Sequence, residues 1–256
     1  MKNMTANTKL FIAAIVTAGA LALASGLMRW ESKDAVRFLS FLIVAAIASR
    51  LKVKLPGTTG NLSVNLPFIL IALAELSFSE TVVMAAVSAF VQGLPAIGRR
   101  IKPVQSAFNV ATLVLAAAAA QFVFSRAAMI PSLTAKSLLI ALAGAAFLVA
   151  DTLPIAGVIS LTENLKLGRV WREMLELTFS YFVLSAGIAA IAATATAYVG
   201  WRTPLVVLPV MIGTYVSYRR YFRFPAVAAI TNLQFATLPA GAREKAQVVQ
   251  EFTPTR

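Results

Sequence analysis

The chain of 256 residues has no cysteine and no histidine, and only 10 acidic residues against 23 lysines and arginines. Without cysteine it has no disulfide, thiolate nucleophile, iron–sulfur cluster or thiolate zinc site. Without histidine it loses imidazole acid–base chemistry, histidine metal ligation and the Ser-His-Asp arrangement. Most enzyme readings end there, and neither a catalytic constellation nor a cofactor or metal site is expected. Charge is scarce as well: 13% of residues are charged, against about 25% in ordinary soluble domains. In its place stand apolar residues, 59% of the chain, and a mean hydropathy of +0.80. Such a composition belongs to an all-α, polytopic transmembrane helical bundle whose first partner is the lipid bilayer.

Eight apolar segments are read at about 10–28, 36–49, 64–78, 80–97, 105–124, 137–161, 174–199 and 203–217, within a range of six to nine spans. Eight spans of about 20 residues with short loops use about 220 positions, which leaves little room for a soluble catalytic domain. With the N-terminus inside, the inner loops collect 17 of the 23 basic residues and the outer loops six. That bias is the signature of cytoplasmic loops, so both termini are expected in the cytoplasm and the protein in the cell inner membrane. The same clustering between apolar runs explains the net charge of +13 without nucleic acid, for which no basic stripe or aromatic platform exists. Residues 1–223 form the membrane domain, and 224–256, with three prolines, an interfacial or flexible tail. A cleaved signal peptide over the first segment is an alternative reading. Between the second and third segments, residues 51–65 carry the turn signals Pro56-Gly57 and Gly60-Asn61 and read as a cytoplasmic loop able to form a short hairpin.

An ionisable group inside a span costs from about 2.5 kcal/mol on insertion scales, so it marks a candidate site. Asp151 is the clearest, followed by Thr152 and then Pro154, whose missing amide hydrogen frees a carbonyl. Asn109, Gln92 and Gln121 are amides able to bond across helices. The candidate intramembrane polar site is therefore Asp151, Asn109, Gln92 and Thr152. Glu75 and Glu80 flank a short outer turn, where solvation at a helix end accounts for them, and Glu173 and Glu176 pair along a helix face near Arg172. Runs of small residues at 116–120 and 187–193 favour close backbone packing. Trp171, Trp201, Tyr198, Tyr218 and Tyr221 fall at span ends, as an aromatic belt does. A cytoplasmic interaction surface is expected from Arg169, Trp171, Arg172, Arg219 and Arg220.

The stretch VADTLPIAGVISLTENLKLGRVWREMLELTFSYFVLSAGIAAIAA, followed by WRTPLVVLPVMIGTYVSYRRYF, resembles the end of the multi-pass membrane region that precedes HD-GYP or GGDEF domains in bacterial signalling proteins. LKVKLPGTTGNLSVNLPFILIALAELSFSE and PVQSAFNVATLVLAAAAA resemble its first half, so the resemblance covers about residues 40–223. Its most specific pieces are VWRE at 170–173, Phe108-Asn109, and YRRYF at 218–222. The departures are that the chain stops 34 residues after Phe222, holds no histidine for an HD site and no GGDEF string, and has Asp151-Thr152 where the family would place Asn-Thr. The resemblance implies a sensor-like or scaffold-like module without an effector, working through a separate cytoplasmic signalling protein. The competing expectation is a small-solute or ion permease lined by Asp151, Asn109 and Gln92. Self-association is left open by the sequence, and an intramembrane enzyme is disfavoured because no second acid lies at the depth of Asp151.

Overall fold

The structure is a computed structural model that describes residues 5–32, 34–54, 61–94, 102–127, 133–217 and 219–220. The tail at 224–256, Tyr221 and Tyr218 lie outside the described residues, as do Pro56-Gly57 and Gly60. Each of the eight apolar segments contains a helix. In chain order these are α1 (Ala6–Met28), α2 (Ala35–Arg50), α3 (Leu66–Glu75), α4 (Phe78–Gly93), α5 (Pro103–Ala127), α6 (Leu133–Glu163), α7 (Leu167–Val199) and α8 (residues 203–217). Between α2 and α3, where the sequence reads as a loop able to form a hairpin, β1 (Lys52–Lys54) pairs antiparallel with β2 (Asn61–Ser63), Val53 opposite Leu62.

Local chemistry sets the helix ends. Thr5 and Asp34 cap α1 and α2 by accepting from the amides of Thr8 and Arg37, the usual role of short polar side chains at a first turn. Asn164, at φ 55°, ends the α6–α7 corner in the left-handed region that asparagine tolerates. Gly200, at φ 60°, stops α7 before a 3-10 turn over Gly200–Arg202. The sequence reading starts the seventh segment at 174, yet α7 begins at Leu167, because Arg169, Arg172 and Glu173 are good helix formers that an apolarity criterion passes over.

Four helices, α1, α5, α6 and α7, are long and apolar enough to cross a membrane. The other four are shorter. At 1.5 Å per residue, the 16 residues of α2 and of α4 reach about 24 Å, and the 10 residues of α3 about 15 Å, against a hydrocarbon core of about 30 Å. Length thus supports a helical membrane bundle but only four full spans on its own.

α3 is the centre of the fold. Every residue from Leu66 to Leu73 is buried, packed among α2, α4, α5, α6 and α7. A helix apolar on all sides has no solvent face to offer and must be enclosed. Around it, Ala116, Ala117 and Ala120 of α5 and Ala189, Ala192 and Ala193 of α7 are buried, as the small-residue runs predict. Turns alternate between two ends of the bundle. At one end Thr8 Oγ1 donates to the Leu161 carbonyl at 3.4 Å and Arg50 to the carbonyls of Val91 and Leu94. At the other Ser79 donates to the Arg29 carbonyl and Ser40 to that of Trp201. The first, which carries Arg50, Lys52 and Arg169, is called the basic end below.

α1 touches α5 without side chains between them: a β-carbon added at Gly19 would fall 2.5 Å from both Cα and Cβ of Ala111. Gly19→Val should therefore force the two helices apart and cost about 1–3 kcal/mol, by analogy with overpacked cores. Gly187→Ala, where nothing lies within 4 Å, should be neutral or stabilising by up to about 1 kcal/mol. Thermal unfolding of the two variants in detergent measures the contrast.

Candidate functional site

The outer turn differs from its sequence reading. Glu80 is not a solvated helix-end acid: it is only 3% exposed. Ser77 and Glu80 form a capping box at the start of α4, the Glu80 carboxylate accepting from the Ser77 amide at 2.9 Å and from the Ser32 hydroxyl at 2.7 Å. Ser77 Oγ also donates to the Glu31 carbonyl at 2.7 Å. Beside it Glu75 is paired with Arg37. Serines and two acids thus bind the α1–α2 connection across the α3–α4 corner. The Ser77-x-x-Glu80 spacing is a capping-box signal that the sequence reading passes over, and the partners from residues 29–37 are set by tertiary contact alone.

At the basic end, cations satisfy the carbonyls left open where α4 stops. Arg50 Nη1 lies 3.2 Å from both the Val91 and the Leu94 oxygen, and Lys52 Nζ donates to the Gln92 carbonyl. Partial burial, reinforced by the neighbouring Arg50 charge, lowers the Lys52 pKa. The charged amine is thus disfavoured in the folded state, so its contribution to stability improves as pH rises toward the ordinary lysine range. The part of Gln92 engaged here is its backbone oxygen, with the side chain half-buried.

The interior candidates do not gather at one point. Asn109 is exposed on α5, whereas Asp151 is half-buried on α6. Among the described residues the Asp151 carboxylate has neither a hydrogen-bond nor an ion-pair partner. Its neighbour Thr152, 2% exposed, is the junction of a short relay. Trp171 Nε1 on α7 donates to Thr152 Oγ1 at 3.0 Å, and that hydroxyl donates to the Leu148 carbonyl at 2.6 Å. Trp171 is therefore half-buried and tied to α6, where the sequence places it in an aromatic belt, whereas Tyr198 and Trp201 are exposed. Of the expected interaction surface, Arg169 and Arg172 are exposed at the start of α7, Arg169 in an ion pair with Glu173 at 3.0 Å. Arg219 and Arg220 are exposed beyond α8, Arg219 donating to the Tyr215 hydroxyl at 3.2 Å.

Other buried polar atoms also lack partners among the described residues: Asn65 Nδ2, Ser88 Oγ, Thr112 Oγ1, Gln121 Oε1 and Ser185 Oγ. Sequence reasoning singles out only Gln121, because a lone serine or threonine in an apolar run usually bonds to its own helix. The described residues hold no group of three or more His, Cys, Asp or Glu able to bind a metal ion. No family model, curated protein or solved structure matches the chain.

Glu80→Ala should cost about 0.5–2 kcal/mol, because it removes the cap contact to the Ser77 amide and the acceptor of the Ser32 hydroxyl. Trp171→Phe, which removes one hydrogen bond and keeps a ring, should cost about 0.5–1.5 kcal/mol. Midpoints of thermal unfolding in detergent, compared with Glu173→Ala as a near-neutral surface control, check both.

Proposed function

We propose that the protein is a non-enzymatic inner-membrane module of sensor or scaffold type, in which the α6–α7 hairpin carries a rearrangement of the bundle interior to the basic end. The observation that carries this reading is the Trp171–Thr152–Leu148 relay. It ties the start of α7, with exposed Arg169 and Arg172, to the part of α6 holding an unpaired acid. A signal of this kind needs two arrangements that a ligand binds unequally, and a hydrogen bond between two long helices is a contact that can be made in one arrangement and broken in the other. The resemblance to the membrane region of cyclic-di-GMP signalling proteins points the same way, with a separate cytoplasmic protein as the receiver. In this reading the shorter helices complete eight traverses, both termini are cytoplasmic and the basic end faces the cytoplasm.

A solute or ion permease is the second reading, and the unpaired Asp151 favours it. Against it, the exposed position of Asn109 keeps the expected polar lining from forming one path.

Two measurements test these assignments. A reporter active only in the cytoplasm, fused after Arg256, should work, and activity of a periplasm-dependent reporter there would overturn the topology. Crosslinking in native membranes should capture a cytoplasmic partner through residues 166–172, with a yield that falls at least severalfold in Trp171→Phe. An unchanged yield, or solute flux into reconstituted vesicles that disappears in Asp151→Asn, would turn the assignment to transport.

A further inference from the structure

One side of α7 packs on α6 and α3. The opposite side is exposed along its length, from Arg169 through Phe179 at 57% and Val183 at 55% to Ile191 at 72%. Toward the basic end this side carries four charges. Arg169 and Glu173 pair with each other. Arg172 and Glu176 are exposed one turn apart, and among the described residues neither has a hydrogen-bond or ion-pair partner.

Glu176 lies deep along the helix axis. In the antiparallel α6–α7 hairpin, Trp171 bonds to Thr152, the Phe147 and Phe182 rings stand 6.1 Å apart, and Gly144 packs beside Ala186. These contacts put Glu176 level with about residues 147–154 of α6, the depth of Asp151. Where α6 meets α1, Thr8 bonds to the Leu161 carbonyl and Gly157 abuts Phe11. The same level therefore falls at about residues 14–22 of α1, an uncharged stretch in the middle of that helix. The sequence reading leaves this depth to Asp151 alone. In a helix that crosses the membrane, an acid on the outer side at that level is costly, and lipid tails offer it neither a donor nor a cation.

We propose that the exposed side of α7 is a self-association surface, on which a second copy of the chain packs α7 against α7 about a two-fold axis along the membrane normal. The charges select this occupant. Copies inserted with one orientation run their α7 helices parallel, and a two-fold interface sets the same patch against itself. Arg172 of each copy then flanks Glu176 of the other, across helices about 8–10 Å apart and with an axial offset of about 6 Å. Two arginines and two glutamates make a neutral cluster, in which the arginines offset the repulsion between the acids and no charge is left over. A partner carrying one sign of charge would leave either Arg172 or Glu176 unanswered. Further along α7, Phe179, Val183 and Ile191 supply apolar contact away from the charges. The interface stands on α7 alone and holds for the sensor and the permease readings alike.

The test co-expresses two differently tagged copies of the full chain and captures one through the other from membranes in mild detergent. The native chain should capture itself. Arg172→Glu leaves only acids at the cluster and Glu176→Arg only cations, so each variant should capture itself at least about fivefold less. Co-expressed with each other, the two variants again set opposite charges across the axis, and capture should return to within about twofold of native. That recovery also shows that both variants fold. Because the chain has no cysteine, a second measurement needs no charge variant. Val183→Cys should form a disulfide-linked dimer when membranes are oxidised, and Ile43→Cys, exposed on α2, should not. If the charge variants do not accumulate, this cysteine pair decides. Self-capture unchanged by the single reversals, or a mixed pair that accumulates without recovering capture, would overturn the interface. So would Val183→Cys that stays monomeric or dimerises no more than Ile43→Cys, or a different protein captured on this face in place of a second copy.

Discussion

The bundle depends on enclosing a short helix that cannot face water or lipid alone. α3 has ten residues, eight of them buried in succession, and its ends lie within the protein, where an open backbone group costs several kcal/mol in an apolar setting. Its C-terminal end is closed by the Thr81 hydroxyl and the Leu76 amide on the Ala72 carbonyl. Its N-terminal end is closed by the Asn65 carbonyl and by the hairpin, whose exit is held by the Val64 amide on Leu51. Helices α2, α4, α5, α6 and α7 then pack around this rod, and the four long ones among the eight give the bundle its membrane-spanning length.

Polar chemistry is distributed according to what it must satisfy. At the outer corner, serine hydroxyls and the Glu80 carboxylate meet backbone groups of the α1–α2 connection, so nearly every donor finds a named acceptor. At the basic end, Arg50 and Lys52 meet the last carbonyls of α4. These contacts satisfy carbonyls that the helix ladder leaves open, whereas the exposed Arg169–Glu173 pair is of a kind that contributes at most about 0.5 kcal/mol. The interior is the exception, with buried polar atoms of Asn65, Ser88, Thr112, Gln121 and Ser185 that lack partners among the described residues.

Much of this was legible along the chain. The eight helices coincide with eight apolar runs because burial, whether against other helices or in lipid, demands apolarity, which is a local property. The pairing of β1 with β2 follows turn signals within a few residues, whereas the local capping signal at Ser77 was passed over because Glu80 reads as a solvated helix-end acid. Asp151 stood out because a charge in an apolar run is conspicuous. Asn65, Ser88 and Thr112 did not, since each looks like an ordinary cap or helix hydroxyl until its neighbours are known. Trp171 was misplaced for a related reason: position at a span end describes a belt equally well whether the indole faces the headgroups or bonds to Thr152 on the next helix.

The sequence by itself determined that the chain is helical, apolar and biased in charge, because composition and period act residue by residue. Only the tertiary structure decided that α3 lies at the centre, that Glu80 is buried while Asn109 is exposed, and which buried polar atoms lack partners among the described residues. Those outcomes depend on register between helices far apart in the chain, set by contacts such as Gly19 against Ala111 and Gly144 against Leu70. Packing of that kind is collective, and no single segment encodes it.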